Sequence, residues 1–247
     1  MAHRFINLLY PPACLLCQTP LPAAAGSHGE SALLCESCRS LMPRLGPPVC
    51  ARCGIDLPGA FDASLECGTC RRTAPAFEMA RAPWSYAGAA RDAVWQFKYS
   101  RRWRLGRWLA EAMSAQARAA FPLDDVEAVA PVPPHWLKRR LQGFSAAEAL
   151  ALAVARSLNK PNAPQALRRR RWTATQTRLG YQQRARNVRG AFAVPTAGRH
   201  LRGLLLVDDV LTSGATAEAC AAALKSAGVA RVFVLTAART PAGRSLA

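Results

Sequence analysis

Two adjacent carboxylates, Asp208 and Asp209, follow four apolar residues at 204–207 and precede the run Val210-Leu211-Thr212-Ser213-Gly214-Ala215-Thr216. The apolar residues read as a buried strand, so the acids emerge at its carboxyl end. Thr212, Ser213, Gly214, Ala215 and Thr216 then offer hydroxyls and backbone N–H groups and open a helix, whose amino terminus favours a phosphate. Gly214 permits the close backbone turn this needs. Carboxylates beside a phosphate cradle would repel an anion unless they serve hydroxyls or Mg²⁺. A sugar phosphate meets that condition, with its 5′-phosphate in the loop and its ribose hydroxyls on Asp208 and Asp209.

A second constellation lies near the amino terminus. Eight of the nine cysteines form four Cys-x2-Cys pairs: Cys14/Cys17, Cys35/Cys38, Cys50/Cys53 and Cys67/Cys70. Two intervening residues let both sulfurs of a pair reach one metal tetrahedrally. The first two pairs are 17 residues apart and the last two 13, close to the spacing of four-cysteine zinc ribbons. Gly54 and Gly68, each directly after a cysteine, supply permissive backbone. The pattern predicts two zinc ions. Eight thiolates leave neither metal an open position, so the zinc is structural and would supply folding energy to a segment with little core. Consecutive pairing is the expected arrangement; the spacing also allows an interleaved one, first pair with third. Cys220, in an Ala-rich helical stretch at 216–226, reads as a small core residue.

The elements that must position these groups follow from the rest of the chain. Its 247 residues suffice for one or two domains, and 51% apolar content excludes global disorder. The first ten residues hold too short an apolar run for a signal peptide, and no run of about 18 apolar residues appears. Secretion and membrane spanning are therefore disfavoured. The expected location is the cytoplasm, where cysteines stay reduced. Residues 75–83 read as a linker between a ribbon module, 1–75, and a second domain, 80–247. In the latter, strands at 126–132, 204–207 and 229–235 alternate with helical stretches at 89–120 and 145–158, the last capped by Ser145 with Glu148 in the capping box. This order predicts an α/β fold with a mostly parallel, doubly wound sheet that binds ligands at its carboxyl edge.

Charge is uneven. The chain carries a net +18, and residues 1–75 hold 6 basic and 5 acidic side chains against 27 and 10 in residues 76–247. Between Glu148 and Asp208 no acid occurs, while Arg and Lys occur twelve times. Such a field suits a polyanion or a phosphorylated substrate. Trp95, Phe97, Tyr99 and Trp103 interleave with Arg101, Arg102, Arg104 and Arg107, a pattern that can clamp single-stranded nucleic acid. Aromatics so placed more often pack the core while arginines face solvent, and that is the expectation here.

The 204–216 segment resembles the phosphoribosyl pyrophosphate motif of type I phosphoribosyltransferases at every position. With the cysteine pairs ahead of it, the chain as a whole is similar to the competence protein F family, in which a double zinc ribbon precedes a phosphoribosyltransferase domain. Further matching stretches are Phe97-Lys98-Tyr99, Pro131-Val132-Pro133, Gly143-Phe144 with Glu148, Thr175-Gln176, and Arg186-Asn187 with Gly190-Ala191-Phe192. The chain departs from the family pattern at Gln142, Ser145 and Ala146, where the family commonly has a basic residue, Asn and Gln.

The resemblance implies a Mg²⁺-dependent phosphoribosyltransferase, with phosphoribosyl pyrophosphate or a related nucleotide as ligand and a role in DNA uptake or utilisation. Asp208 and Asp209 are then the catalytic candidates. Thr212, Ser213, Gly214, Ala215 and Thr216 would hold the phosphate, and Lys138, Arg139 and Arg140 the pyrophosphate. The arginines within 168–171 and 184–189 would form a basic hood. No residue identifies the acceptor. The alternative is a protein that keeps the fold without the reaction, handling single-stranded DNA or acting as a scaffold with a protein partner at its ribbons.

Overall fold

The computed structural model describes residues 12–21, 33–57, 59, 62, 64–100, 102–134, 144–170, 188 and 190–242. Its centre is a parallel sheet. Strands β1 (Met79–Arg81), β2 (Trp84–Ser85), β3 (Ala128–Pro131), β6 (Gly203–Leu211) and β7 (Arg231–Arg239) run in the order β1-β7-β6-β3, with β2 extending β1's place against β7. Every pairing in this sheet is parallel. A second, two-stranded antiparallel sheet joins β4 (Arg168–Arg169) to β5 (Phe192–Ala193).

Alternation along β6 and β7 explains the two layers, because successive residues point to opposite faces. Leu205, Val207, Phe233 and Leu235 face helices α3 (Gly88–Ser100), α4 (Trp103–Ala120) and α5 (Ala146–Ser157). Leu204, Leu206, Val232 and Val234 face α7 (Ala215–Ser226), which follows the one-turn helix α6 (Thr196–Arg199), and the β4–β5 sheet. On α4, Leu105, Trp108, Leu109, Ala112 and Met113 are all buried, as their 3-4 spacing requires. On α7 the buried set is Ala217, Cys220, Ala221 and Leu224, so Cys220 is the core residue its context suggests. The Ser145 hydroxyl accepts from Glu148 N at 3.3 Å and caps α5. One residue at which the chain departs from the pattern it resembles is thus a helix cap.

Three expectations shift. The 89–120 stretch is two helices, with Arg102 between them donating to the Leu15 carbonyl at 2.9 Å. The expected linker at 75–83 contains β1, because Met79, Ala80 and Arg81 find an open edge on β7. The last two strands run four residues further than their apolar cores, to Leu211 and Arg239, since each supplies the other with a partner for its polar end. Asp208 and Asp209 therefore lie within β6. They still project past the neighbouring strand, whose pairing stops at Val207.

The ribbons straddle the sheet. Cys14, Leu16 and Leu34 belong to the core on the α3–α4–α5 face, whereas Cys50, Cys53 and Cys70 belong to the core on the α7 face. The chain crosses between them around the β2 edge, where Ser85 N donates to the Pro43 carbonyl and Leu45 N to that of Pro83. Each ribbon begins with a turn and ends in a one-turn helix, α1 (Glu36–Ser40) or α2 (Gly68–Arg72). Among the described residues no helix is long and apolar enough to cross a membrane.

Candidate functional site

The eight cysteines gather as two tetrads, Cys14/Cys17/Cys35/Cys38 and Cys50/Cys53/Cys67/Cys70, each with its sulfurs within 4.8 Å of one another. Pairing is consecutive. The Cys17–Cys35 and Cys53–Cys67 sulfur separations are 3.5 and 3.7 Å. Tetrahedral zinc with Zn–S bonds of about 2.3 Å places sulfurs roughly 3.8 Å apart, so the donor set fits that ion. Backbone N–H groups of Cys53 and Cys67 point at Cys50 Sγ, at 3.5 and 3.2 Å. Burial opposes the Cys50 thiolate, but these hydrogen bonds and one from Arg52 outweigh it and lower the thiol to about 7. Zinc bound here would supply cross-linking, with all four positions taken by cysteine.

The tetrads are built by an internal repeat of backbone geometry, although 17 residues separate the pairs of the first and 13 those of the second. In each, the first cysteine's N–H bonds a carbonyl five residues on, Cys14 to Thr19 and Cys50 to Ile55. In each, the residue four after that cysteine donates back to its carbonyl and takes a left-handed conformation: Gln18 (φ 63°) and Gly54 (φ 65°). In each, the third cysteine precedes the short helix that carries the fourth. Gly54 is needed twice over, since a Cβ there would lie 2.5 Å from the Ala80 carbonyl oxygen on β1. Gly68 needs no such freedom, for it opens α2 with ordinary backbone.

At the carboxyl edge of the sheet, Asp208 accepts the N–H of Asp209 on Oδ1 at 2.8 Å. Asp209 is 9% exposed and ion-paired with Lys98 of α3. Burial alone would discharge that ammonium, but Asp209, and behind it Asp208, outweigh it and hold the lysine above its usual range. Tyr86 lies half-buried beside the pair, its phenol raised first by burial. From the β4–β5 sheet, the half-buried Arg169 stacks on Phe192 at 5.4 Å; burial lowers its pKa, opposed by Cys220 and then by Asp208. Residues 212–214 connect β6 to α7, with Gly214 at φ 82° as the cap and Ser213 Oγ accepting from Ala215 N at 3.4 Å.

The expected site residues Asp208, Asp209, Thr212, Ser213, Gly214, Ala215 and Thr216 thus share one edge, and Arg169 of the expected hood joins them. Arg168 turns instead to Gln165, at 3.3 Å. Lys138, Arg139, Arg140, Arg171 and the arginines of 184–189 lie outside the described residues. The sequence reading missed Lys98 as the partner of Asp209. One signal was present: the chain uses 29 arginines and only four lysines. The aromatic expectation is overturned in part. Phe97 is core, but Trp95, Tyr99 and Trp103 are 55%, 52% and 61% exposed, with Trp95 and Tyr99 5.5 Å apart and Trp103 edge-on to Phe144 at 4.9 Å.

Comparison with known proteins matches this architecture from both ends. The double zinc ribbon domain family matches residues 5–71. DNA utilization protein YhgH of Escherichia coli (strain K12) is 31% identical over 241 residues, 94% of this chain and 99% of the relative. Its counterpart in Salmonella typhimurium is 32% identical over the same shares. Competence protein F of Haemophilus influenzae is 27% identical over 211 residues, 83% of this chain and 90% of the relative. Two cysteine tetrads ahead of a parallel α/β sheet, and likeness to these relatives along nearly the whole length, place the chain in the competence protein F family.

Proposed function

We propose that the carboxyl edge of the sheet binds phosphoribosyl pyrophosphate, or a nucleotide with the same ribose 5-phosphate, together with Mg²⁺. The observation that carries this reading is the convergence of two acids at the end of β6 with a left-handed Gly214 opening α7. Backbone N–H groups at residues 213–216 and the hydroxyls of Thr212, Ser213 and Thr216 would take the 5′-phosphate. Asp208 and Asp209 would take the ribose hydroxyls, and Mg²⁺ would neutralise the pyrophosphate. Lys98 holds Asp209 in place, so the carboxylate is oriented before ligand arrives. Lys138, Arg139 and Arg140 remain the proposed pyrophosphate contacts. In a transfer, the anomeric carbon–oxygen bond breaks, pyrophosphate leaves with the electron pair and a nucleophile takes its place.

The relatives' names support a role in DNA uptake or utilisation. The cytoplasm, where cysteines stay reduced, is the compartment that eight paired zinc-ligand thiols suit. In this reading residues 80–247 carry the ligand and residues 1–75 the zinc scaffold and any protein partner. A second reading rests on the exposed Trp95, Tyr99 and Trp103, with Arg104 and Arg107 nearby: a platform for single-stranded DNA, with or without transfer activity. Calorimetric titration with phosphoribosyl pyrophosphate and Mg²⁺, set beside single-stranded DNA over a range of salt, separates the two. Saturable binding of the small ligand supports the first; DNA binding alone supports the second.

A further inference from the structure

Arg239 ends β7 and is 5% exposed. Its guanidinium reaches in two directions. Nε donates to the Cys53 carbonyl at 3.0 Å, and Nη2 lies 3.6 Å from Cys53 Sγ. Nη1 donates to the Leu211 carbonyl at 3.0 Å and also to that of Thr212. One side chain therefore ties the second cysteine tetrad to the entry of the loop at 212–216. Beside it a cavity of about 930 Å³, walled by Thr69, Phe77, Ala219 and Ala222 among others, lies between the tetrad and α7. The guanidinium spans a gap that packing leaves open.

The geometry makes this link depend on metal. Four thiolates on one Zn²⁺ leave about −2 on the centre. Two arginines meet it: Arg239, and the half-buried Arg81, whose Nη1 donates to the Cys50 carbonyl at 3.4 Å. A buried guanidinium persists only where it is paired. Without zinc nothing cross-links Cys50, Cys53, Cys67 and Cys70, so the Cys53 backbone that Arg239 Nε holds is no longer fixed.

The link also sets peptide orientation. In a planar trans peptide the C=O and the following N–H point in opposite directions. Arg239 draws the Leu211 and Thr212 carbonyls toward itself, which turns the N–H groups of Thr212 and Ser213 away from the guanidinium. We propose that Arg239 is a positioning residue for the loop at 212–216, and that its hold depends on zinc in the second tetrad. Anion binding at the loop is then coupled to that zinc and not to the first, which packs on the opposite face of the sheet. The anion half of this inference rests on the proposed function; the coupling of zinc to loop order stands apart from it.

The test uses full-length zinc-loaded protein and three readouts: zinc release to a chelator, amide exchange of residues 204–216, and affinity for ribose 5-phosphate. Arg239→Met should speed zinc loss from one of the two sites, accelerate loop exchange and weaken ribose 5-phosphate about tenfold, a typical cost of losing charged hydrogen bonds. Arg239→Lys keeps the charge but loses the fork, so it should restore zinc retention and leave the loop loose. Should either variant fail to fold, graded chelation of the parent answers the same question. Loop exchange should rise in step with exposure of Cys50, Cys53, Cys67 and Cys70, not with that of Cys14, Cys17, Cys35 and Cys38. Loop exchange indifferent to zinc in the second tetrad, or unchanged in Arg239→Met, overturns the inference. Coupled zinc and exchange responses in a protein that never binds ribose 5-phosphate would uphold the coupling and sink the proposed function.

Discussion

Lys98, on α3, is ion-paired with Asp209, on β6, and the pair joins the helical layer to the sheet at the edge where the two acids project. The side chains keep only 25% and 12% of their surface, so each is the main counter-charge of the other. Asp209 is thereby a structural group as well as a proposed ligand group.

This changes what an acid-to-amide substitution does. Asp209→Asn leaves the Lys98 ammonium without its partner, and breaking a fully buried pair costs ~3–5 kcal/mol. Lys98 keeps some water, so the expected loss is about 2 kcal/mol, or roughly 4–8 °C in melting temperature. Pairing it with Lys98→Met should return most of that stability. Equal melting temperatures for the parent and Asp209→Asn would contradict the pairing.

The zinc prediction is stoichiometric. Protein purified without added metal should hold two zinc ions per chain, with eight cysteines resisting alkylation until a chelator is added. Metal-free protein with intact ribbons would refute it.

The ribbon repeat predicts opposite effects at equivalent positions. Gln18 sits at φ 63° without a glycine's freedom, a conformation that costs a non-glycine residue about 1 kcal/mol. Gln18→Gly should therefore raise the melting temperature by roughly 2–4 °C. Gly54→Ala should lower stability, because it adds a collision with the Ala80 carbonyl to the same backbone strain. Thermal unfolding of both variants checks the pair.

Exposed aromatics carry the DNA reading. Replacing Trp95, Tyr99 and Trp103 by Ala should leave stability nearly unchanged and weaken single-stranded DNA by about 1–3 kcal/mol per stacked base. The affinity of the parent should fall steeply with salt, and alanines at Arg168, Arg169, Arg170 and Arg171 should lessen that slope. DNA binding carried wholly by the ribbons would refute this.

Much of this was legible because local signals agreed. The apolar residues of 204–207, the acids behind them and the Thr-Ser-Gly-Ala-Thr run announced a strand, an edge and a helix start. The cysteine spacing announced two metals. What the sequence hid is long-range. Lys98 and Asp209 are 111 positions apart, and no periodicity links them. Arg239 lies four residues beyond the strand expected at 229–235, and only the sheet brings it to Cys53. Residues 79–81 look too short for a strand, and become one only against the free edge of β7. Trp95 and Tyr99 share a helix face that, by composition, belonged in the core.

The central claim is tested most directly by titrating the full-length protein with phosphoribosyl pyrophosphate and Mg²⁺, alongside Asp208→Asn, which leaves the Lys98–Asp209 pair intact. One-to-one, Mg²⁺-dependent binding is expected in the parent, falling at least tenfold in the variant at nearly unchanged melting temperature. A parent that does not bind, or a variant that binds as tightly, would contradict a sugar-phosphate site at this edge.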